Sequence, residues 1–229
     1  MGRVTLKVSD GSEMNAHTAR SKDAPTKGIV VIQEAFGVND YIRRITRRFA
    51  DQGYLAIAPE LFHRTASGFD ADYVKKEGVS ENMAALTDEG IVADLKASYD
   101  WLVGEGIPND KIAVIGFCMG GRAAFLANAT LPLAAAVSFY GGGTDSLLSR
   151  VQNISGPMLF FWGEKDTHIP LEQRQAVLGA MKNTGKSFEY EVFPEAGHGF
   201  ACDARDAYHK PSADAAWVLA DAFLAEHLK

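Results

Sequence analysis

Apolar, β-branched runs alternate along this chain with stretches in which apolar residues recur at helical spacing. Strand-like runs fall at Gly28–Ile32, Tyr54–Ala58, Lys111–Gly116, Leu133–Tyr140, Pro157–Trp162 and Phe188–Phe193. Between them, helical patterns occupy Tyr41–Asp51, Ile91–Leu102, Gly120–Ala129 and Leu171–Met181, and a final helix ends near Leu228. In the second of these, Val92, Leu95, Tyr99 and Leu102 recur at helical intervals and so share one face. Strand and helix in strict alternation predict an α/β fold, a mostly parallel sheet with helices on both faces, because the strands read as near-continuous apolar runs. Ahead of this pattern, Val4–Val8 and Glu13–Thr18 flank Asp10-Gly11, a hairpin signal that predicts an antiparallel edge. No repeat, low-complexity tract or linker interrupts the pattern, so residues 1–229 are expected to form a single domain. The longest aperiodic stretch, about Glu60 to Asp88, is expected to wall or cover a site, since long excursions in compact domains are more often functional than idle.

One junction in this pattern carries chemistry. Gly116-Phe117-Cys118-Met119-Gly120-Gly121 follows the apolar strand Ile112–Ile115 and precedes the helix formers Arg122-Ala123-Ala124-Phe125-Leu126. A G-x-C-x-G sequence between strand and helix is the form of a nucleophile elbow, whose sharp turn leaves no room for side chains at the flanking glycines. Cysteine suits the place: unpaired amides and the helix dipole favour a thiolate there. The N–H of Met119 would point at the oxyanion of a tetrahedral intermediate. A buried structural cysteine is the plainer alternative.

If Cys118 is a nucleophile, an acid and a histidine should follow it, in that order, at later strand ends. The strand ending at Trp162 runs into Gly163-Glu164-Lys165-Asp166-Thr167-His168-Ile169-Pro170, which offers Asp166 in a turn, with Glu164 as competitor. The strand ending at Phe193 runs into Pro194-Glu195-Ala196-Gly197-His198-Gly199-Phe200. Of the six histidines, His17 and His63 precede the nucleophile, while His209 and His227 lie in or beside the last helix. His198 is the expected base; His168 is expected to face solvent or cap its turn. Asp166 would then fix the tautomer and orientation of His198.

Composition narrows the partners. At 229 residues and 47% hydrophobic content the chain can bury a core without staples. A net charge of −6 argues against a nucleic-acid partner. The one basic cluster, Arg43, Arg44, Arg47 and Arg48, falls opposite the apolar face of Ile42, Ile45 and Phe49 and reads as a solvated face. The first ten residues lack a secretory apolar core, and no apolar run approaches the roughly 18 residues of a membrane span. A cytoplasmic location is expected, with no membrane partner. Cys118 and Cys202 could pair arithmetically, yet a lone bridge is a poor fit to a reducing compartment.

With these motifs in place, the chain resembles the dienelactone hydrolase family over nearly its whole length, the cysteine in the elbow being the family's mark within the α/β-hydrolase fold. Gln33-Glu34-Ala35-Phe36-Gly37, after the strand Gly28–Ile32, is similar to its second hallmark. The resemblance implies that Glu34 interacts with the nucleophile and takes part in its activation. It implies equally that the N–H of Ala35 is the second oxyanion donor beside Met119. Arg122 is one candidate partner for Glu34, whose unpaired burial would be costly. The expected activity is hydrolysis of a small ester or lactone through an acyl-enzyme, with neither metal nor organic cofactor. In family members that cleave dienelactone, an arginine four residues after the histidine binds the substrate carboxylate. Here that position is Cys202, with Arg205 close but out of register, and Arg64 is the only arginine between Glu60 and Asp88. Cys202 is expected to pack near His198 as a small apolar residue. Two other readings compete: a non-catalytic ligand receptor on the same fold, which would need no intact triad, and a glutaminase-type amidotransferase, whose acid would sit two residues after the histidine. That position is Phe200.

Overall fold

Wherever the chain reads as an unbroken apolar run it extends, and wherever the apolar spacing is three or four it coils. The computed structural model describes residues 2–229; Met1, the first residue of the N-terminal stretch read above, lies outside them. Eight strands are assigned to one mostly parallel sheet: β1 (Gly2–Lys7), β2 (Glu13–Arg20), β3 (Lys27–Ile32), β4 (Tyr54–Pro59), β5 (Ile112–Phe117), β6 (Ala135–Phe139), β7 (Met158–Gly163) and β8 (Phe188–Phe193). The helices are α1 (Asp40–Asp51), α2 (Val79–Ala85), α3 (Asp88–Gly104), α4 (Met119–Asn128), α5 (Leu171–Asn183) and α6 (Lys210–His227). Strands β4, β5, β6 and β7 are buried at every position, as strands covered on both faces must be. The chain divides into two compact units, one up to Ala113 and one from Val114.

In the first unit the strand order is β1-β2-β4-β3. The expected antiparallel edge is present: β1 pairs with β2 and β2 with β4, Ala16 lying opposite Pro59, whereas β3 and β4 are parallel. The Asp10-Gly11 turn forms as read, with Gly11 at φ +88° and the Asp10 carboxylate accepting from the N–H and hydroxyl of Ser12. Helix α1 packs on β2, β3 and β4, capped by Asn39, whose Oδ1 accepts from the N–H of Ile42 at 3.2 Å. Its Ile42, Ile45 and Phe49 are buried and Arg44 and Arg47 are exposed, as the basic-face reading requires.

The Glu60–Asp88 excursion holds the short helix α2, which periodicity over so few residues did not reveal. The excursion is anchored at two places. His63 Nε2 lies 3.0 Å from Asp94 Oδ1 on α3, and the Arg64 guanidinium grips both oxygens of Asp94 at 2.8 and 2.9 Å while reaching Asp10. His63 and Asp94 are almost fully buried. Further along, Ala71 N–H donates to Phe36 O and Asp70 bridges to Gly37, where a Cβ would stand only 1.9 Å from Phe69 O. Removing one partner from a buried charge pair costs about 3–5 kcal/mol. Asp94→Ala is therefore expected to lower the melting temperature by about 6–20 °C for a chain of this length, read by calorimetry or circular dichroism.

In the second unit the order is β5-β6-β7-β8, with β6, β7 and β8 mutually parallel and Met158 of β7 paired both to Ala136 and to Phe188. Helix α4 packs on β6, and α6 on β6 and β7. A 3₁₀ helix at Thr144–Asn153, unforeseen from spacing, packs against α5. Its period of three leaves only a narrow buried edge, too little for a helical pattern to register. Phe139 meets Phe117, Phe161 and Phe200 with tilted rings in an aromatic cluster.

Candidate active site

The junction of β5 and α4 is a tight turn at Cys118, the residue between the last of β5 and the first of α4. Cys118 caps α4 at φ +56° and ψ −120°, in a sparsely populated backbone region that costs about 1–3 kcal/mol and persists only where the surroundings impose it. The glycines explain how the turn is tolerated. A Cβ on Gly116 would lie 1.8 Å from Gly120 O, and one on Gly121 2.6 Å from Phe139 O, so strand, elbow and helix are in backbone contact. The N–H of Cys118 donates to Phe139 O at 3.0 Å, fixing the elbow to the end of β6. Met119 opens α4, where helix geometry leaves its N–H without an intrahelical acceptor.

Two later strand ends supply the remaining groups, and their loops are stitched together. Glu164 N–H donates to Phe193 O and Lys165 N–H to Ala196 O, both at 2.9 Å, and a Cβ on Gly163 would collide with Ala196 O at 2.3 Å. That close approach brings Asp166 Oδ2 to 2.8 Å from His198 Nδ1, while His198 Nε2 stands 3.1 Å from Cys118 Sγ. Cys118, Asp166 and His198 thus meet as the sequence predicts. Asp166 Oδ1 accepts the backbone N–H of His168 at 2.8 Å, so both carboxylate oxygens are engaged. Glu164, the competing acid, pairs instead with Arg174 at 2.7 Å. The His168 side chain is 70% exposed, with its Nδ1 3.7 Å from Asp166 Oδ1, in line with a solvent-facing residue.

Charge follows this geometry. Burial disfavours the imidazolium of His198, but hydrogen bonds to Asp166 and Cys118 and their negative charges outweigh it and raise the pKa to about 10. For Asp166, burial pushes upward and is again outweighed: the hydrogen bond and charge of His198, then the His168 N–H, hold the carboxyl below its ordinary range. The ring of Tyr140 meets that of His198 edge to face at 5.3 Å. Its backbone stands at φ +40°, and its place ahead of Gly141-Gly142-Gly143 was the available sequence signal for it.

Glu34 and Ala35 belong to the first unit, at the end of β3. Glu34 is fully buried, and Tyr73 of the excursion donates to its Oε2 at 3.3 Å while accepting from Asn39 Nδ2 at 2.8 Å. Tyr73 lies in an aperiodic stretch and had no local signal. Ala35 sits in the tight turn closed by Gly37 N–H onto Glu34 O. Arg122 Nε donates to Gly143 O at 3.3 Å and its Nη2 to Ser146 Oγ at 3.2 Å, bracing the segment after β6. Arg64 is committed to Asp94 and Asp10. Neither cysteine is in a disulfide; Cys202 is fully buried and Cys118 partly accessible. Arg205 reaches closer to the site than its register suggests: a Cβ on Gly199, next to His198, would lie 2.3 Å from its Nη1. Phe200, where an amidotransferase would carry its acid, is buried against Phe193 and Tyr140. Among the described residues no helix is long and apolar enough to cross a membrane.

Comparison with known proteins identifies the family. The family model of the dienelactone hydrolase family matches residues 14–228. A Yersinia pestis protein assigned as a carboxymethylenebutenolidase is 37% identical over 227 residues, covering 94% of this chain and 84% of its own. The carboxymethylenebutenolidase of Pseudomonas putida is 31% identical over 208 residues, covering 90% and 88%. A Klebsiella pneumoniae crystal structure assigned to the dienelactone hydrolases superposes with a TM-score of 0.87 at 33% identity, over 98% of each chain.

Proposed function

The chain belongs to the dienelactone hydrolase family of ester and lactone hydrolases, and we propose that it cleaves a small ester or lactone through an acyl thioester on Cys118. The observation that carries this reading is the unbroken contact of Asp166, His198 and Cys118 at 2.8 and 3.1 Å. An imidazole with a pKa near 10 is charged at neutral pH, so both ring nitrogens donate, one to Asp166 and one to a thiolate sulfur.

The thiolate attacks the carbonyl carbon, and the oxyanion rests on the N–H groups of Met119 and, by family resemblance, Ala35. Collapse of the tetrahedral intermediate expels the alkoxide, which takes the Nε2 proton of His198. The neutral imidazole then removes a proton from water, whose hydroxide attacks the thioester. The second collapse releases the acid and restores the thiolate and imidazolium. Glu34 is carried over from the family as the residue that takes part in activating the thiol; its complete burial beside the Tyr73 hydroxyl supports a dedicated role. Arg122 supports the site by bracing Gly143 and Ser146 behind the elbow. A thiolate nucleophile favours a reducing, cytoplasmic setting.

For substrate, the family's carboxylate-binding position is Cys202, so a neutral ester or lactone is favoured over dienelactone, with Arg205 as the nearby positive charge. The test is acid quenching during turnover of a short p-nitrophenyl ester, followed by peptide mapping. An acyl mass on the Cys118 peptide is expected; acylation elsewhere, or a full burst without any adduct, would sink the mechanism. A panel of neutral and carboxylated esters and lactones then ranks substrates.

A further inference from the structure

Asp166 has a neighbour that hydrolysis does not use. His168 is two residues on, exposed, with its ring centroid 4.8 Å from that of His198 and inclined at 41°. Asp166, His168 and His198 each present one ligand-type atom, and these atoms lie within 4.8 Å of one another. A tetrahedral zinc ion with nitrogen and oxygen ligands at about 2.0–2.2 Å places those ligands about 3.4 Å apart. The separations here bracket that value, one for each carboxylate oxygen: 2.8 Å between Asp166 Oδ2 and His198 Nδ1, and 3.7 Å between Asp166 Oδ1 and His168 Nδ1. The His168 side chain is 70% exposed and has room to turn toward the other two groups.

We propose that Asp166, His168 and His198 form an inhibitory site for a divalent transition metal such as Zn²⁺, occupied in competition with the working triad. Two imidazoles and one carboxylate suit zinc, copper or nickel; magnesium and calcium prefer all-oxygen sets. A fourth position is left for water. Binding replaces the proton on His198 Nδ1 with the metal and releases that proton to solvent, one per ion, with no change of oxidation state. It also converts Asp166 from the acceptor that orients His198 into a metal ligand. The ring is then held by the ion, and the proton relay to Cys118 stops. The ion is a brake, not a cofactor.

The consequence for activity rests on the catalytic reading above, but the site itself does not, so binding is measured directly. Wild type, His168→Ala and Cys118→Ala are titrated with zinc chloride by calorimetry in two buffers of different ionisation enthalpy, with circular dichroism confirming the fold. Wild type and Cys118→Ala are each expected to bind one zinc, the wild type with release of about one proton. Loss of an outer-shell partner alone costs about 10–100-fold in metal affinity, so His168→Ala should bind at least about 100-fold more weakly. The backbone N–H that residue 168 gives to Asp166 survives in that variant. Equal affinity in wild type and His168→Ala would overturn the proposal. So would loss of binding in Cys118→Ala, which would put the metal on the thiolate, or the absence of binding by wild type at millimolar zinc. Inhibition of ester cleavage, with half-inhibition moving to higher zinc in His168→Ala, is the functional readout; calorimetry decides the site even if no substrate is turned over.

Discussion

Cys118→Ala is expected to lower kcat/KM toward a short aryl ester by about 10⁴-fold or more, with little change in thermal stability. Alanine keeps the Cβ and therefore the crowded turn, so the elbow, its 3.0 Å bond to Phe139 and the Asp166–His198 contact should persist. What disappears is the sulfur proposed to carry the acyl group. Serine restores an atom but not the chemistry, because a hydroxyl is far harder to ionise than a thiol. Cys118→Ser should consequently fall far below wild type. Steady-state kinetics on both variants provide the check; an alanine variant keeping more than about a tenth of wild-type activity would place the nucleophile elsewhere.

A second large effect is expected at Asp166. Asp166→Asn should reduce kcat by about 10²–10⁴-fold and also move the alkaline limb of the rate profile. In the wild type His198 titrates at about 10, and one cause is its bond and charge interaction with Asp166. Without that carboxylate the imidazolium loses support and deprotonates at lower pH. The limb should shift acidward, toward the ordinary histidine value of 6.5. Stability follows with definite signs. His198 has a raised folded pKa, so its contribution is complete below 6.5 and disappears as pH rises through about 10. Asp166 has a lowered folded pKa, so its contribution is complete above the ordinary 3.8 and is lost on acidification. The stability difference between wild type and Asp166→Asn should therefore be greatest between these two ordinary values, and chemical denaturation across pH would show an unchanged difference if the pair were incidental.

Much of this was legible in the chain itself because the decisive constraints are local. G-x-C-x-G-G between an apolar strand and a helix former has few structural solutions, and the glycine clearances at Gly116 and Gly121 are its physical cause. Asp166 and His198 were found because chain order and strand ends restrict the choice. The α/β alternation was equally plain, since strands buried at every position read as solid apolar runs. The losses share a cause too. Tyr73 on Glu34, and His63 and Arg64 on Asp94, join residues 30 to 39 positions apart, and neither partner carries a spacing that announces the other. Arg64 could be read as a substrate cation until Asp94 and Asp10 were seen to occupy it. Arg205 was out of register only along the chain; the turn after Gly199 brings its guanidinium back against Gly199, next to His198.

The unequal exposure of the two cysteines reaches beyond hydrolysis. One sulfur is partly open to solvent at the elbow and the other is sealed in the core, although neither is in a disulfide. The folded chain is thereby monofunctional toward sulfur-seeking electrophiles, with regioselectivity written into its packing. A fluorophore, spin label or solid support attached without denaturation would sit at a single defined point of the molecule, and no cysteine would first have to be engineered away.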